Sequence, residues 1–460
     1  MKYPLLSRLN LGWLFCGIAI TLGWGMRGEI GGSAGAALPG AMLGLGIALV
    51  SGRPGWVRAA PVFGMAAALG IAPGGQMSYG LLVGYTKGID VPNVAYGYAM
   101  IGLVGGLWGA LGAGCIALVA SRVKYKAWQV LAFVVGAVVA GRLLHFLLVD
   151  LLNLRANPPR GDSWPEMIGA ILALMILAAI RRDPLPSRLV FWGFAVGSVG
   201  FMVGDSLQTM PSFISPDTYN WWKLMEQSFG FILGAGIAWA VNRETHGDLD
   251  LPPASYPLTV FGVIVTIWWV PMLVFNDMLE RRSEVMEELR QQAAPATTTA
   301  ALAIEEASGF FSPFMIRELV ILALIAAVAY ALRNRSGKLV APDFAGKLLF
   351  TTVMWFGVLV TAFKMSMRGW IGDYPVIHGG FLVMATVLTI WVWFGFPIRS
   401  QAPKPAAPLP LRVIAPIYFA ILYPALAFLL AYVSIATHPG EWRGDAHKRF
   451  GEEPVTSSAQ

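Results

Sequence analysis

The segment Trp24-Gly-Met-Arg-Gly-Glu-Ile-Gly-Gly32 ends a long apolar run and places Arg27 and Glu29 among glycines. An apolar run of about 20 residues is long enough to cross a bilayer as a helix. A charged side chain at membrane depth costs free energy and is usually retained for a function. The segment therefore predicts a membrane-spanning helix with functional charge at its end.

Other apolar runs of similar length follow along the chain. The 460 residues are 56% hydrophobic and only 13% charged, which excludes a soluble domain of this size. We predict an all-α polytopic membrane protein with about thirteen transmembrane helices. They are expected near residues 9–26, 34–50, 59–81, 95–120, 128–152, 165–180, 187–205, 227–241, 256–276, 316–333, 346–366, 376–397 and 411–436.

Loop charge predicts the orientation of the chain. Cytoplasmic loops of membrane proteins carry an excess of lysine and arginine. With a cytoplasmic N-terminus, basic short loops such as residues 122–126 and 181–182 lie inside. We therefore expect a multi-pass protein of the plasma (inner) membrane, surrounded by the lipid bilayer. The net charge of +7 belongs to such loops, and we expect no nucleic-acid partner.

An internal repeat relates the two halves of the chain. A single shift of 176 positions aligns the first predicted span with the seventh. It pairs Met26 with Met202, Gly28 with Gly204, and Glu29 with Asp205. Two parallel six-helix repeats plus one extra C-terminal helix account for the thirteen spans.

Shorter matches extend this pattern to four helical hairpins. Met26-Arg27-Gly28 resembles Met367-Arg368-Gly369, and Gly161-Asp162 resembles Gly372-Asp373. Such matches also arise by chance in Gly-rich apolar sequence, so the first pairing carries the repeat. If all four hairpins are related, their turns share one face of the membrane.

The repeat predicts the division of the chain. Residues 1–183 form the first half, and residues 184–400 form the second half with an extramembrane insert at 277–315. Residues 401–436 form a Pro-rich connector and the extra helix, and 437–460 form a polar, loosely ordered tail. The insert is either a solvated helix between two spans or a mobile cover over the outer opening.

Glycine is frequent at the predicted helix contacts and turns. Gly40-x3-Gly44 and Gly105-x3-Gly109 place small residues on one helix face, where backbones approach closely. The glycines around Arg27 allow either an unwound segment that exposes amides to a ligand or a tight turn between packed helices.

The charged residues near the hairpin turns form the candidate site. The expected substrate-binding residues are Arg27, Lys364, Arg368 and Gln76. The expected coupling or acid–base residues are Glu29, Asp205, Asp373, Asp162 and His145. Guanidinium groups bind phosphate, carboxylate or sulfate as planar forks, so a small anion is the expected ligand. The same residues could instead form a closed ion-pair network or lie in the hydrated headgroup zone. His145 is either a proton carrier or a hydrogen-bonded packing residue.

Several enzyme signatures are absent from the sequence. It contains no Walker A loop, no His-Glu-x-x-His, no Gly-x-Ser-x-Gly and no cysteine metal spacing, and we expect no cofactor and no metal. We expect a secondary transporter of a small polar, anionic solute, whose halves rock about a shared site. One alternative is a membrane-embedded transferase acting on a lipid-linked or acyl substrate at the outer membrane face. The other alternative is a non-catalytic membrane scaffold.

Overall fold

A computed structural model describes residues 11–158, 162–214, 220–245, 255–274, 276–277, 343–367, 374–395, 410–437 and 447–451. Helices and short turns make up these ranges, and no strand occurs within them. The α-helices are α1 (Gly12–Ile30), α2 (Gly32–Val50), α3 (Pro54–Arg58), α4 (Ala60–Ile71), α5 (Gly80–Thr86), α6 (Val91–Ala120), α7 (Ala127–His145), α8 (Trp164–Ile180), α9 (Pro184–Ile214), α10 (Trp221–Glu244), α11 (Tyr256–Ile264), α12 (Phe344–Met367), α13 (Tyr374–Phe394), α14 (Leu411–Ile417) and α15 (Tyr423–Thr437). π-Helical turns at Phe146–Leu151, Val265–Trp269 and Tyr418–Leu422 follow α7, α11 and α14.

The helices confirm the expectation of an all-helical, membrane-embedded chain. Within the described ranges, nine helical stretches are long and apolar enough to cross a membrane. They are Gly32–Val50, Val91–Ala120, Ala127–Leu151, Pro184–Met210, Trp221–Glu244, Pro257–Val274, Phe344–Ala362, Val376–Phe394 and Leu411–Thr437. α1 is not among them, because Arg27 and Glu29 lower the apolarity of its last turns. The span predicted at 316–333 lies outside the described residues.

The prediction of one continuous span over residues 59–81 is wrong. α4 ends at Ile71, a 3₁₀ segment covers Ala72–Gln76, and α5 begins only at Gly80. The break follows from the local sequence Pro73-Gly74-Gly75, because proline lacks an amide donor and glycine gains little from the helical conformation. Because of this interruption, α5 is a separate short helix, which packs next to α6.

The chain forms two compact units. The first contains Met1–Gly75 and Asp248–Pro403, and the second contains Gln76–Gly247 and Lys404–Gln460. Each unit contains one of the two hairpins matched by the repeat, α1–α2 in the first and α9–α10 in the second. The boundaries of these units differ from those of the predicted six-helix halves, 1–183 and 184–400. The six-helix halves stay a prediction.

In the first unit, α1 and α2 are joined by a tight turn. Gly31 and Gly32 have φ angles of +86° and +53°, which only glycine adopts without strain. The tight-turn interpretation of the glycines around Arg27 is therefore confirmed. α2 packs closely on α4, because a Cβ atom at Gly44 would lie 2.0 Å from the carbonyl oxygen of Phe63.

In the second unit, glycines bring α6 and α9 into backbone contact. A Cβ atom at Gly109 would lie 2.0 Å from the Gly193 carbonyl oxygen, and one at Gly105 would lie 2.4 Å from that of Gly197. The predicted small-residue stripe is thus a helix contact. α15 packs against α6 and α9 through buried Ala427.

A segment of the C-terminal tail is bound to the second unit. The Asn93 side chain accepts hydrogen bonds from the backbone amides of Arg449 (2.6 Å) and Phe450 (2.7 Å) and donates to the Phe450 carbonyl (3.1 Å). The His447 amide donates to the Gly84 carbonyl (3.0 Å). For residues 447–451, the expectation of a loosely ordered tail is wrong, because a buried amide side chain pairs with their backbone.

Candidate functional site

The end of α1 carries two of the predicted charged residues into the interior of the first unit. Arg27 is 7% exposed and Glu29 is 6% exposed. Gly35 of α2 makes room for Arg27, because a Cβ atom there would lie 3.3 Å from Arg27 Cγ and 2.9 Å from its carbonyl oxygen. These two charges are therefore packed inside protein.

Asp205 is the acidic residue that the repeat pairs with Glu29. It lies on α9 in the second unit and is fully buried, with 0% exposure. The polar residues next to its carboxylate are Thr86, Lys87 and Thr209. Neither carboxylate oxygen has a partner at hydrogen-bonding geometry within the described residues. A buried carboxylate without such partners is costly, and native proteins rarely retain one without a functional reason.

Hydroxyl groups surround this carboxylate. Thr86 Oγ1 lies 3.3 Å from Thr209 Oγ1 and donates its proton to the Val83 carbonyl oxygen at 2.9 Å. The hydroxyl of Tyr98, a fully buried residue of α6, neighbours Asp205 and Thr209 and also has no hydrogen-bond partner among the described residues. We call Thr86, Tyr98, Asp205 and Thr209 the Asp205 cluster.

Local backbone features position the cluster. Thr86 is the last residue of α5, and its carbonyl accepts a hydrogen bond from Ser434 Oγ at 3.4 Å. Gly97 of α6 allows this approach, because a Cβ atom there would lie 2.8 Å from Thr86 Cγ2. α5, α6, α9 and α15 thus meet at these hydroxyls.

A second polar group lies on the α7–α8 pair. His145 Nδ1 is 3.0 Å from Glu166 Oε1, and His145 Nε2 is 3.8 Å from Asp150 Oδ1. Arg142 Nη1 lies 3.6 Å from the same Glu166 oxygen, but the Arg142 side chain is 77% exposed. We call these four residues the His145 cluster. It lies on a helix whose apolar residues, such as Leu131 and Val138, are exposed.

Asp162 organises a loop before α8. Its Oδ2 accepts a hydrogen bond from the Ala156 amide at 2.7 Å. Burial raises the pKa of the Asp162 carboxyl, while the backbone amides of Ala156 and Asn157 act in the opposite direction. In the same region Ser163 Oγ donates to the Gln76 carbonyl at 3.4 Å, which brings the predicted Gln76 near Asp162.

Some predicted site residues cannot be placed. Arg368 and Asp373 lie outside the described residues, as does the side chain of Lys364. In the second unit, Asp162, His145 and Gln76 lie near one another. Asp205 belongs to the same unit but lies in a separate cluster. Arg27 and Glu29 belong to the first unit.

Sequence reasoning missed most partners of these residues. Thr86, Tyr98 and Thr209 are neutral residues of apolar helices, so no charge pattern marks them. Glu166 follows Pro165 at the start of α8, and His145 is the last residue of α7. Because these two helix ends follow each other in the chain, their acidic and basic residues could have been paired from the sequence.

The segment Trp221-Trp222-Lys223 begins α10. Asn220 caps α10, and Lys223 is buried in an ion pair with Glu226 (2.9 Å). Trp222 packs near Tyr79 with ring centroids 6.2 Å apart. Lys223 therefore stabilises α10 internally, and only the aromatic rings lie at the surface of this segment.

Known proteins supply no template for these groups. The function has to be inferred from the chemistry of the side chains themselves. No protein-family model, no curated protein and no solved structure matches this chain.

Proposed function

We propose that this protein is a secondary transporter of a small polar, anionic solute in the plasma membrane, with a cytoplasmic N-terminus. The observation that carries the proposal is the burial of Asp205 within apolar helices beside hydroxyl groups. A charge at this depth costs about 2.5–3.5 kcal/mol on the insertion scale, so retaining it indicates a function.

The matched hairpin supports the same interpretation. Glu29 occupies the position that the predicted repeat pairs with Asp205 and is also buried, two residues after the buried Arg27. Repeated hairpins with ionisable residues near their ends are typical of transporters, where they bind solute and coupling ion. A scaffold protein would gain nothing from burying Asp205, whose carboxylate oxygens have no hydrogen-bond partner among the described residues.

The roles divide by charge. The proposed anion-binding residues are Arg27, Lys364, Arg368 and Gln76. The proposed coupling residues are Glu29, Asp205 and Asp373, with Asp162 and His145 as further acid–base candidates. Arg27 is suited to phosphate, sulfate or a carboxylate because its guanidinium donates two parallel hydrogen bonds.

The experiment is uptake by the purified full chain in liposomes. Labelled phosphate, sulfate and short carboxylates are tested under an inward proton gradient and, separately, an inward Na⁺ gradient. We expect one anion class to accumulate above empty liposomes and Arg27→Gln to abolish the accumulation. Arg122→Gln is the matched control, because Arg122 is exposed in the segment after α6, and it retains uptake. Absence of accumulation for every anion under both gradients overturns the proposal.

One observation favours a second candidate, the membrane-embedded transferase. His145 lies between the carboxylates of Glu166 and Asp150 on a helix pair with exposed apolar side chains. A histidine held by a carboxylate is a suitable general base for a hydroxyl of a lipid-linked substrate. The same liposomes separate the candidates, since a transporter accumulates anion and loses the accumulation with Asp205→Asn, whereas a transferase modifies a lipid-linked substrate and accumulates no anion.

A further inference from the structure

We infer that the Asp205 cluster is a binding site for a dehydrated monovalent cation of the size of Na⁺. The inference deepens the proposed function, and it rests on that function only for the claim that the bound ion is coupled to transport. Cation binding itself is measured apart from transport.

The first argument is the supply of hydrogen-bond donors. Thr86 Oγ1 donates to the Val83 carbonyl at 2.9 Å, so its hydroxyl proton is not available to Asp205. Thr209 Oγ1 lies 3.4 Å from Gln208 Oε1 and 3.3 Å from Thr86 Oγ1, and it has a single proton for all its acceptors. The two threonine hydroxyls therefore offer Asp205 oxygen lone pairs rather than protons, and the donors nearby are the Tyr98 hydroxyl and the Lys87 ammonium. Oxygen acceptors without donors are the ligands of a hard cation.

The second argument is that two buried polar groups lack hydrogen-bond partners. Both carboxylate oxygens of Asp205 and the hydroxyl of Tyr98 lack hydrogen-bond partners within the described chain, although both residues are fully buried. A bound cation would satisfy the carboxylate and the phenolic oxygen at once. Without it, Lys87, Thr86 and Thr209 offset only part of the cost of burying the carboxylate.

The third argument is the spacing of the ligands. Neighbouring oxygens bound at about 2.4 Å in an octahedral arrangement lie about 3.4 Å apart. The oxygens of Thr86 and Thr209 are 3.3 Å apart. This spacing suits octahedral Na⁺, whose radius is close to that of Ca²⁺, whereas the longer bonds of K⁺ in the same arrangement set neighbouring oxygens farther apart.

Charge decides the valence of the ion. The cluster contains one carboxylate, and the C-terminal end of α5 adds a partial negative charge. Lys87 contributes a positive charge nearby. One carboxylate next to an ammonium does not balance a divalent ion, so the site favours a single positive charge, and Lys87 opposes its binding.

The test measures thermal unfolding of the purified full chain in detergent, followed by tryptophan fluorescence. NaCl is titrated against choline chloride at constant ionic strength, with KCl as a further series. We expect Na⁺ to raise the Tm in a saturable way and K⁺ or choline to leave it unchanged. A Tm that is independent of Na⁺ overturns the inference, and a Tm that follows pH alone assigns the site to a proton.

Variants locate the ion. Asp205→Asn is expected to abolish the Na⁺ dependence, and the isosteric Thr86→Val and Thr209→Val are expected to weaken the apparent affinity about tenfold each. Lys87→Met is expected to strengthen the affinity, because it removes a competing charge. Asp183→Asn is the control, since this buried carboxyl already accepts hydrogen bonds from Ser121, Tyr125 and the Leu185 amide. A Na⁺ response retained by Asp205→Asn, or lost by Lys87→Met, contradicts the assignment.

The two proposals fail separately. A Na⁺-dependent Tm without anion uptake supports the cation site and contradicts the transporter. Uptake driven by a proton gradient alone, with no effect of Na⁺ on the Tm, supports the transporter and contradicts the cation site.

Discussion

Thr86 and Thr209 lie 123 positions apart in the chain, yet their hydroxyl oxygens are 3.3 Å apart and fully buried. Thr86 is the last residue of α5, and Thr209 lies in the last two turns of α9. The contact exists because the helix break after α4 frees α5 to pack on α6. The Asp205 cluster is therefore a product of tertiary packing between helices that are distant in sequence.

Gly97→Ala is expected to disturb this cluster. The added Cβ atom would lie 2.8 Å from Thr86 Cγ2 and 3.0 Å from the Thr86 amide nitrogen, so α5 must shift. Overpacking of this kind costs about 1–3 kcal/mol. We expect a lower Tm and a weaker response of the Tm to Na⁺ in the fluorescence assay.

Gly136→Ala is the matched control for Gly97→Ala. Gly136 also lies within a helix, but its added Cβ atom has Ala173 Cβ as nearest neighbour at 3.8 Å, an ordinary contact. Alanine favours a helix over glycine by up to about 1 kcal/mol, so the Tm is expected to stay or rise. Equal losses of Tm in both variants would show that the approach of α5 to Gly97 does not matter.

Asn93→Ala is expected to release the tail segment 447–451. The variant loses three hydrogen bonds to the backbone of Arg449 and Phe450. Limited proteolysis of the purified protein measures the release as faster cleavage within residues 438–451. Asn242→Ala is the control, because Asn242 is exposed near the end of α10. Identical cleavage rates in wild type and Asn93→Ala would mean that the tail is held by other contacts.

Asp162→Asn is expected to change the pH dependence of stability. Because burial raises the pKa of this carboxyl above its ordinary value of 3.8, the folded chain holds the proton more tightly than the unfolded chain. The contribution of this proton to the free energy of unfolding is complete below pH 3.8 and is lost as the pH rises through the raised pKa of Asp162. The asparagine keeps an acceptor for the Ala156 amide and avoids this loss.

The measurement for Asp162→Asn compares Tm values at pH 4 and pH 7. The variant is expected to gain Tm relative to wild type at pH 7 and to show a smaller gain at pH 4. Arg155 and His145 are the charged groups beside this carboxyl. A variant that is less stable than wild type only at pH 7 would indicate that their attraction to the carboxylate outweighs the burial.

Close packing, and not charge, is expected to hold α7 to α8. The side chains of His145 and Glu166 are each about a quarter exposed, and ion pairs in contact with solvent contribute at most about 1 kcal/mol. At Gly169, by contrast, a Cβ atom would lie 2.4 Å from the Gly141 amide nitrogen. Thermal unfolding is expected to show a larger loss for Gly169→Ala than for Glu166→Gln. The reverse order would make the ion pairs the main contact.

Sequence reasoning found the features that depend on local pattern. The apolar runs predict the long helices, and the small-residue stripes at Gly40–Gly44 and Gly105–Gly109 are helix contacts. The predicted repeat pointed to Asp205, because an acid recurs at the position that it pairs with Glu29. These signals are periodic or duplicated, so one sequence reveals them.

The rest depends on contacts between distant segments. No pattern in the sequence links Thr86, Tyr98 and Thr209, because a hydroxyl on an apolar helix most often bonds its own backbone. Pro73-Gly74-Gly75 marks the break in the third span, but its apolar neighbours hide it in a hydropathy profile. The binding of residues 447–451 by Asn93 has no local signal at all.

The central claim is that the matched acids Asp205 and Glu29 couple ion and solute movement. Its most direct test is gradient-driven anion uptake by liposomes containing Asp205→Asn, Glu29→Gln or the control Asp183→Asn. We predict that both site variants lose gradient-driven accumulation and that Asp183→Asn retains it. Accumulation at the wild-type rate in Asp205→Asn and Glu29→Gln would contradict the account.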